Sequence, residues 1–370
     1  MSIDVRDMDD GTQWGVPRLL ARAAVADLCA DDRLAVAIDD FFLPAESRLD
    51  EQLRAALGDT LAGLVAVIEN VVRQHAARLL ATRDAVVLSK ALASDDTFVL
   101  DRLVSTGLVR DVEMMRELVG RARQDVLAAA LPVSAPDDPD RPSLLARLIQ
   151  NPDGVVAAAA MALLAAESRR HGDPEAMSAR TDLPAELHHR LTWWIAAALR
   201  ERLVETAGDN LPLLDRALAD AALRSVAAHD EGERLEAVAM RLAAALDPRS
   251  DELAPLLVEA LADRRLSLFV ALIGHALGLD YVDAREIVLD PAADRLWLVL
   301  RALELDRESI ARIGLALSEA DPRRDIDSFA EALDGIAGTP AMSARMALAP
   351  LLLHPDYRAA LLALARGARV

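Results

Sequence analysis

Two adjacent histidines, His188 and His189, stand beside Glu186 and ahead of two adjacent tryptophans, Trp193 and Trp194, in the stretch PAELHHRLTWWIAAALRERL from Pro184 to Leu203. A histidine on a helix next to an acidic residue is the setting in which an imidazole accepts and passes on a phosphoryl group. Autophosphorylation would also need a nucleotide-binding α/β domain with glycine-rich phosphate loops. The stretch DGIAGTP, from Asp334 to Pro340, has the wrong spacing and a helical neighbourhood. Phosphotransfer through one exposed histidine of a helical bundle is therefore the chemical alternative that this segment carries. Its plain counterpart is structural, with His189 against Trp193 one turn on and His188 at the surface or helix start.

The same helix offers Glu186 and His189 as one Glu-x-x-His pair, half of what a bundle di-metal site requires. None of His75, His171, His229, His275 and His354 has a glutamate three positions before it, and there is no His-Glu-x-x-His run. No metal and no cofactor is expected. Cys29 is the single cysteine, placed after an Ala- and Leu-rich helix as a small core residue, so neither a disulfide nor a thiolate cluster forms within the chain. Gly-x-Ser-x-Gly, Walker and dinucleotide glycine patterns are missing. Trp193, Trp194 and Trp297 with Arg200, Arg264 and Arg265 could imitate the basic concave face of a helical-repeat DNA glycosylase. The charge balance, 41 basic against 60 acidic residues and a net of −19, opposes nucleic acid and anionic lipid. What the arginines can do is meet an acidic protein partner: Arg264-Arg265 and Arg323-Arg324 lie near expected turns and are the binding candidates beside His188 and His189.

The elements that must position these residues are helices. Hydrophobic residues make up 53% of the chain but aromatic ones only 3%, so Ala, Leu and Val must fill the core, which favours close helix packing over sheets. At 3.6 residues per turn Leu187, Leu191, Trp194 and Ala198 share one stripe and His189, Trp193, Ala197 and Arg200 the next. Both tryptophans are buried if this helix is covered on two sides. Asp182 is the expected N-cap, with Glu186 at the positive end of the helix dipole.

The chain then orders as follows. Residues 1–16 are expected to be a flexible leader, without the pattern of a signal peptide. Residues 17–131 form an N-terminal helical domain, with helices expected at about Ala45–Leu57 and Thr60–Ala81, a cap at Asp95 or Asp96, an end at Gly107 and a new start at Asp111. The aliphatic faces between Pro17 and Ala81 suit either a homodimer or an internal core. Residues 132–142 are a Pro- and Asp-rich linker, the expected domain boundary. From 143 to 370 helices follow one another through short turns, with Asn151-Pro152, Asp247-Pro248, Asp290-Pro291 and Asp321-Pro322 at uneven intervals of 96, 43 and 31 residues. Consecutive packing covers their apolar stripes most economically. The most apolar run, Gly154 to Ala166, is shorter than the roughly 20 residues that span a bilayer, so no membrane span and a cytoplasmic location are expected.

From DLPAELHHRLTWWIAAALRERL through LLVEALADRRLSLFVALIGHALGLDYVDAREIVLDPAADRLWLVLRALEL, with LLARLIQNPDGVVAAAAMALL upstream, the chain resembles an uncharacterised alphaproteobacterial family of HEAT-like helical proteins. The resemblance implies an all-α, HEAT-like α-solenoid and carries no activity over to this chain. Together these observations lead us to expect a non-enzymatic, cytoplasmic protein-interaction or scaffold module with a protein partner. The alternative is a histidine phosphotransfer or signalling adaptor working through His188 or His189.

Overall fold

The computed structural model describes residues 49–94, 98–132, 142–171 and 181–367, and every regular element among them is helical. The chain divides into Met1–Asp50 and Glu51–Val370, and the description below concerns the second unit. The leader, the N-terminal domain up to residue 48 with Cys29, the Asp95–Asp96 cap and most of the Pro-rich segment lie outside the described residues.

The first helix, α1 (Glu51–Ala81), is unbroken where a stop between Leu57 and Thr60 is expected. Gly58 and Asp59 are exposed, so they interrupt no packing. Leu53, Leu57, Val65, Ile68, Val72, Ala76 and Leu80 carry one buried face straight through. A glycine inside a helix costs about 1 kcal/mol, whereas burying Leu53 and Leu57 is worth about 2 kcal/mol each. Thr60 does not cap a new helix; its hydroxyl donates back to the Ala56 carbonyl at 2.7 Å. At 31 residues α1 is also long and apolar enough, by length and composition, to cross a bilayer, which the shorter Gly154–Ala166 run is not.

Two short helices, α2 (Val86–Ala93) and α3 (Phe98–Ser105), lead to α4 (Val112–Ala130). Gly107 adopts φ +74° just past α3, and the Asp111 carboxylate accepts the Met114 N–H at 2.9 Å, so the expected stop and start are both in place. Beyond the Pro-rich segment come the helix pairs α5 (Leu144–Ile149) and α6 (Gly154–His171), and α7 (Ala185–Ala207) and α8 (Leu211–Ala228). The chain continues with α9 (Leu235–Leu246), α10 (Ser250–Ala262), α11 (Leu266–Leu277), α12 (Tyr281–Leu289), α13 (Asp294–Ala302) and α14 (Arg307–Ala320). It ends with α15 (Ile326–Gly338), α16 (Ala341–Leu348) and α17 (Pro355–Gly367). Asp247, Asp290 and Asp321 are the C-caps of α9, α12 and α14, so three of the Asp-Pro junctions do mark helix ends.

Packing departs from a strictly consecutive order. Helix α6 lies against α9, although α7 and α8 stand between them in sequence. The α7–α8 pair turns aside and packs on α1. Helix α4 touches α1 on one side and α12 and α14 on another. One core takes in Leu127 and Leu131 together with residues from Leu144 to Leu348, so packing continues across the expected boundary at 132–142. Within that core Gly314 of α14 sits under the Phe329 ring, which a Cβ would meet at 2.0 Å, and Phe329 stacks on Trp297 at 4.7 Å. Trp297 is therefore a packing residue.

Candidate functional site

Among the described residues, a buried ion network forms where α4, α6, α9 and α12 meet. Helical spacing brings Glu117 and Arg121 together on α4, with Arg121 Nε donating to Glu117 Oε1 at 2.8 Å. Arg285 of α12 donates from Nη2 to the other oxygen of Glu117 at 2.9 Å. Arg170, at the end of α6, donates to Asp182 and, at 2.6 Å, to Glu236 near the start of α9. Arg234 reaches Glu117 and Glu236 at 3.4 and 3.5 Å. Gly120 makes the arrangement possible, because a Cβ there would lie 2.7 Å from Arg285 Nη2. Beside the network the Tyr281 hydroxyl donates to Gln124 at 3.1 Å.

Burial on its own would raise the Glu236 carboxyl. The guanidinium groups of Arg170, Arg121 and Arg234 outweigh it and hold Glu236 below the ordinary carboxylate range. Glu117 is governed the same way: burial raises it, Arg121 and Arg285 lower it, and the net direction is down. Burial, and after it the Glu236 charge, push the Tyr281 phenol up. These carboxylates stay ionised and paired, which is the state of a structural tie rather than of a general acid. A pocket beside the network, lined by Arg169, Arg170, Thr181, Asp182, Asp230 and Glu233, has a volume of about 50 Å³. That is space for one or two waters, well below the roughly 300 Å³ at which ligand pockets begin.

Next to the pocket His188 is buried and stacks on His229, with ring centroids 4.2 Å apart and planes 8° from parallel. Thr181 Oγ1 lies 2.6 Å from His188 Nδ1, and Ser225 Oγ 3.4 Å from Nε2. His229 Nε2 is 2.9 Å from the Leu183 carbonyl, to which it donates. Burial first, and the neighbouring His229 second, lower His188 to about 4. His188 is thus not a surface residue but a neutral core group in the first turn of α7. Its partner lies 41 positions away, where no local pattern could announce it.

His189 points the other way. It is exposed, and its Nε2 accepts the Trp193 indole N–H at 3.1 Å, the rings meeting edge to face. Trp193 and Trp194 are both only half-buried, although α7 packs against α1, α2, α3 and α8.

The arginine candidates are held by their own chain. Arg264, at φ +58°, donates from Nε to the Leu131 carbonyl at 2.7 Å. Arg265 pairs with Glu167, which also accepts from Ser267 at 2.9 Å. Arg323 grips Asp321 with two bonds of 2.8 Å. Arg324 is buried and donates to the Val288 carbonyl at 2.5 Å; burial lowers its pKa. Arg264, Arg265 and Arg324 each tie their turn to another helix, and Arg323 braces the turn that follows α14. Among the described residues no group of three or more His, Cys, Asp or Glu is placed to hold a metal ion.

A family model described as "Uncharacterised protein conserved in bacteria (DUF2336)" matches residues 138–350, the stretch that contains α5 to α16. No curated protein and no solved structure matches the chain.

Proposed function

The chain belongs to this uncharacterised bacterial family, and from that premise we propose that it acts through its surface, as a cytoplasmic, non-enzymatic protein-interaction or scaffold module with a regulatory role. Helix pairs joined by short turns, with Asp-Pro at helix ends, support a HEAT-like array as its architecture. The observation that carries the reading is α6. Every residue from Gly154 to Ala166 is apolar, yet only one side of the helix is used: Val156, Ala160, Leu163 and Ala166 are buried, while Val155, Ala158, Met161, Leu164 and Ala165 are exposed. A helix apolar all round belongs in an interior. Here half of it faces outward, and small residues between Val155 and Met161 leave room for close approach by an apolar helix of a partner protein.

The test is capture with the tagged full chain, comparing it with Ala158→Glu plus Met161→Glu. The expected result is a partner that binds directly when purified and loses at least about tenfold in affinity against the double variant, with helicity unchanged by circular dichroism. Equal capture by both chains would reject α6 as the docking face. The alternative, phosphotransfer, rests on His189, which is exposed on a helix whose neighbour His188 is buried. It predicts acid-labile phosphate on the chain that His189→Ala removes.

A further inference from the structure

The stacked rings of His188 and His229 grip one short segment of chain. Thr181 Oγ1 lies 2.6 Å from His188 Nδ1, and two residues further on the Leu183 carbonyl accepts from His229 Nε2 at 2.9 Å. Asp182, between them, is held by the other helix pair: its carboxylate accepts the Leu235 N–H at 2.9 Å and the Arg170 Nε–H at 2.8 Å. Three consecutive residues thus join the start of α7 and the end of α8 to the end of α6 and the start of α9.

The surroundings of the two rings suit neutral imidazoles. Their centroids are 4.2 Å apart, so a proton on each sets like charges face to face. Among the described residues, every hydrogen-bond partner of the pair is a hydroxyl, of Thr181, Thr192 or Ser225, or a carbonyl, and none is a carboxylate. Neighbouring charges are engaged elsewhere. On α7, Arg190 pairs with Asp111 and Glu113, Glu186 is exposed, and exposed His189 accepts from Trp193. Arg102 of α3 pairs with Glu201. On α1, His75 lies in the field of Arg78 and of Arg224 and Asp220 of α8. On the α6 and α9 side Arg170 binds Asp182 and Glu236, Arg169 donates to the Glu233 carbonyl, and Asp230 accepts from Gly232. His229 is half-buried and gives protons a way in.

We propose that the stacked pair is an acid-released latch: neutral, it clamps Thr181–Leu183; charged, the rings part, Asp182 leaves Leu235 and Arg170, and the joint between α7–α8 and α6–α9 opens while the rest stays folded. The sign follows from His188. Released, it binds protons at the ordinary 6.5, and clamped only near 4, so lowering the pH from 7.5 to 5.0 favours release by about thirtyfold.

Native-state hydrogen exchange on the full chain, corrected for the intrinsic effect of pH and run with and without about 1 M urea, reads the latch. The expected result at pH 5.0 is protection of the Leu235 and His188 amides about thirtyfold below that at pH 7.5 and nearly indifferent to urea, whereas the Ile313 and Leu317 amides of α14 exchange faster as urea is added. In His188→Gln plus His229→Gln the acid loss at Leu235 should shrink to less than about threefold. Urea sensitivity at Leu235 as steep as in α14 would make the histidines a matter of global stability and overturn the latch, and so would an unchanged acid loss in the double variant. Should that variant fold poorly, ring NMR of the wild type and of His229→Gln decides instead. The His188 midpoint should rise when the facing ring is removed; a His188 ring that titrates in the wild type like free histidine overturns the proposal.

Discussion

Asp182 closes the start of a helix that begins 53 residues after it: its Oδ1 accepts the Leu235 N–H at 2.9 Å, at the N-terminus of α9. The helix that Asp182 immediately precedes, α7, begins after Pro184 with no side-chain cap. The other Asp182 oxygen takes Arg170, so a single carboxylate satisfies a helix end and holds a guanidinium of the ion network.

Asp182→Ala should lower stability by about 3 kcal/mol, joining a lost cap of about 1 kcal/mol to a partly buried guanidinium left short of its partner. Asp182→Asn keeps an oxygen for Leu235 and should cost clearly less. Urea midpoints at pH 7.5 measure both. Equal losses would mean that the cap contributes nothing.

Gly120→Ala should cost about 2 kcal/mol or more, although it adds a single methyl to a helix. The methyl would displace the Arg285 guanidinium, which is buried and bonded to Glu117 and so cannot swing aside freely. Arg285→Met removes the crowding, and in that background Gly120→Ala should be nearly neutral. A thermal-unfolding double-mutant cycle checks this, and additive losses would exclude the steric account.

Acid should weaken the fold through His188 before the carboxylates titrate. Its folded value of about 4 lies below the ordinary 6.5, so the unfolded chain binds more protons between those limits. The contribution is complete above about pH 6.5 and is lost as pH falls toward 4, amounting to at most about 3 kcal/mol for a shift of this size. Urea midpoints at pH 7.5, 6.0 and 5.0 should fall steadily in the wild type and more shallowly in His188→Gln. Parallel slopes would remove His188 as the cause.

What the sequence made legible was whatever is encoded within a few residues. The helical period, the Asp111 cap, the Gly107 stop and the Asp-Pro helix ends are local and appear where expected. Local signals misled where tertiary packing outweighed them. Gly58-Asp59-Thr60 has the look of a break, but the buried face of α1 runs through it. Asp182 has the look of a cap for the next helix, but the approach of α9 gives it another donor. The candidate site was the least legible part. His188 depends on His229, Glu117 on Arg285, and Arg264 on the Leu131 carbonyl, pairs separated by 41, 168 and 133 positions. Side-chain type suggested that Arg264, Arg265, Arg323 and Arg324 were available to a partner, and only the fold reveals their internal bonds.

The side excursion of α7 and α8 onto α1 has a consequence for how the chain can be divided. A fragment cut at residues 138 and 350 keeps α7 and α8 but discards α1, α2 and α3, on which the buried faces of this pair rest, together with α4. It also strips Arg285 of Glu117 and Arg264 of its carbonyl. Such a piece would carry the whole matched stretch and still be sticky in solution, prone to aggregate through the faces of Leu191, Ile195, Leu214 and Leu218. The stretch that the family model matches and the stretch that packs as one core have different borders.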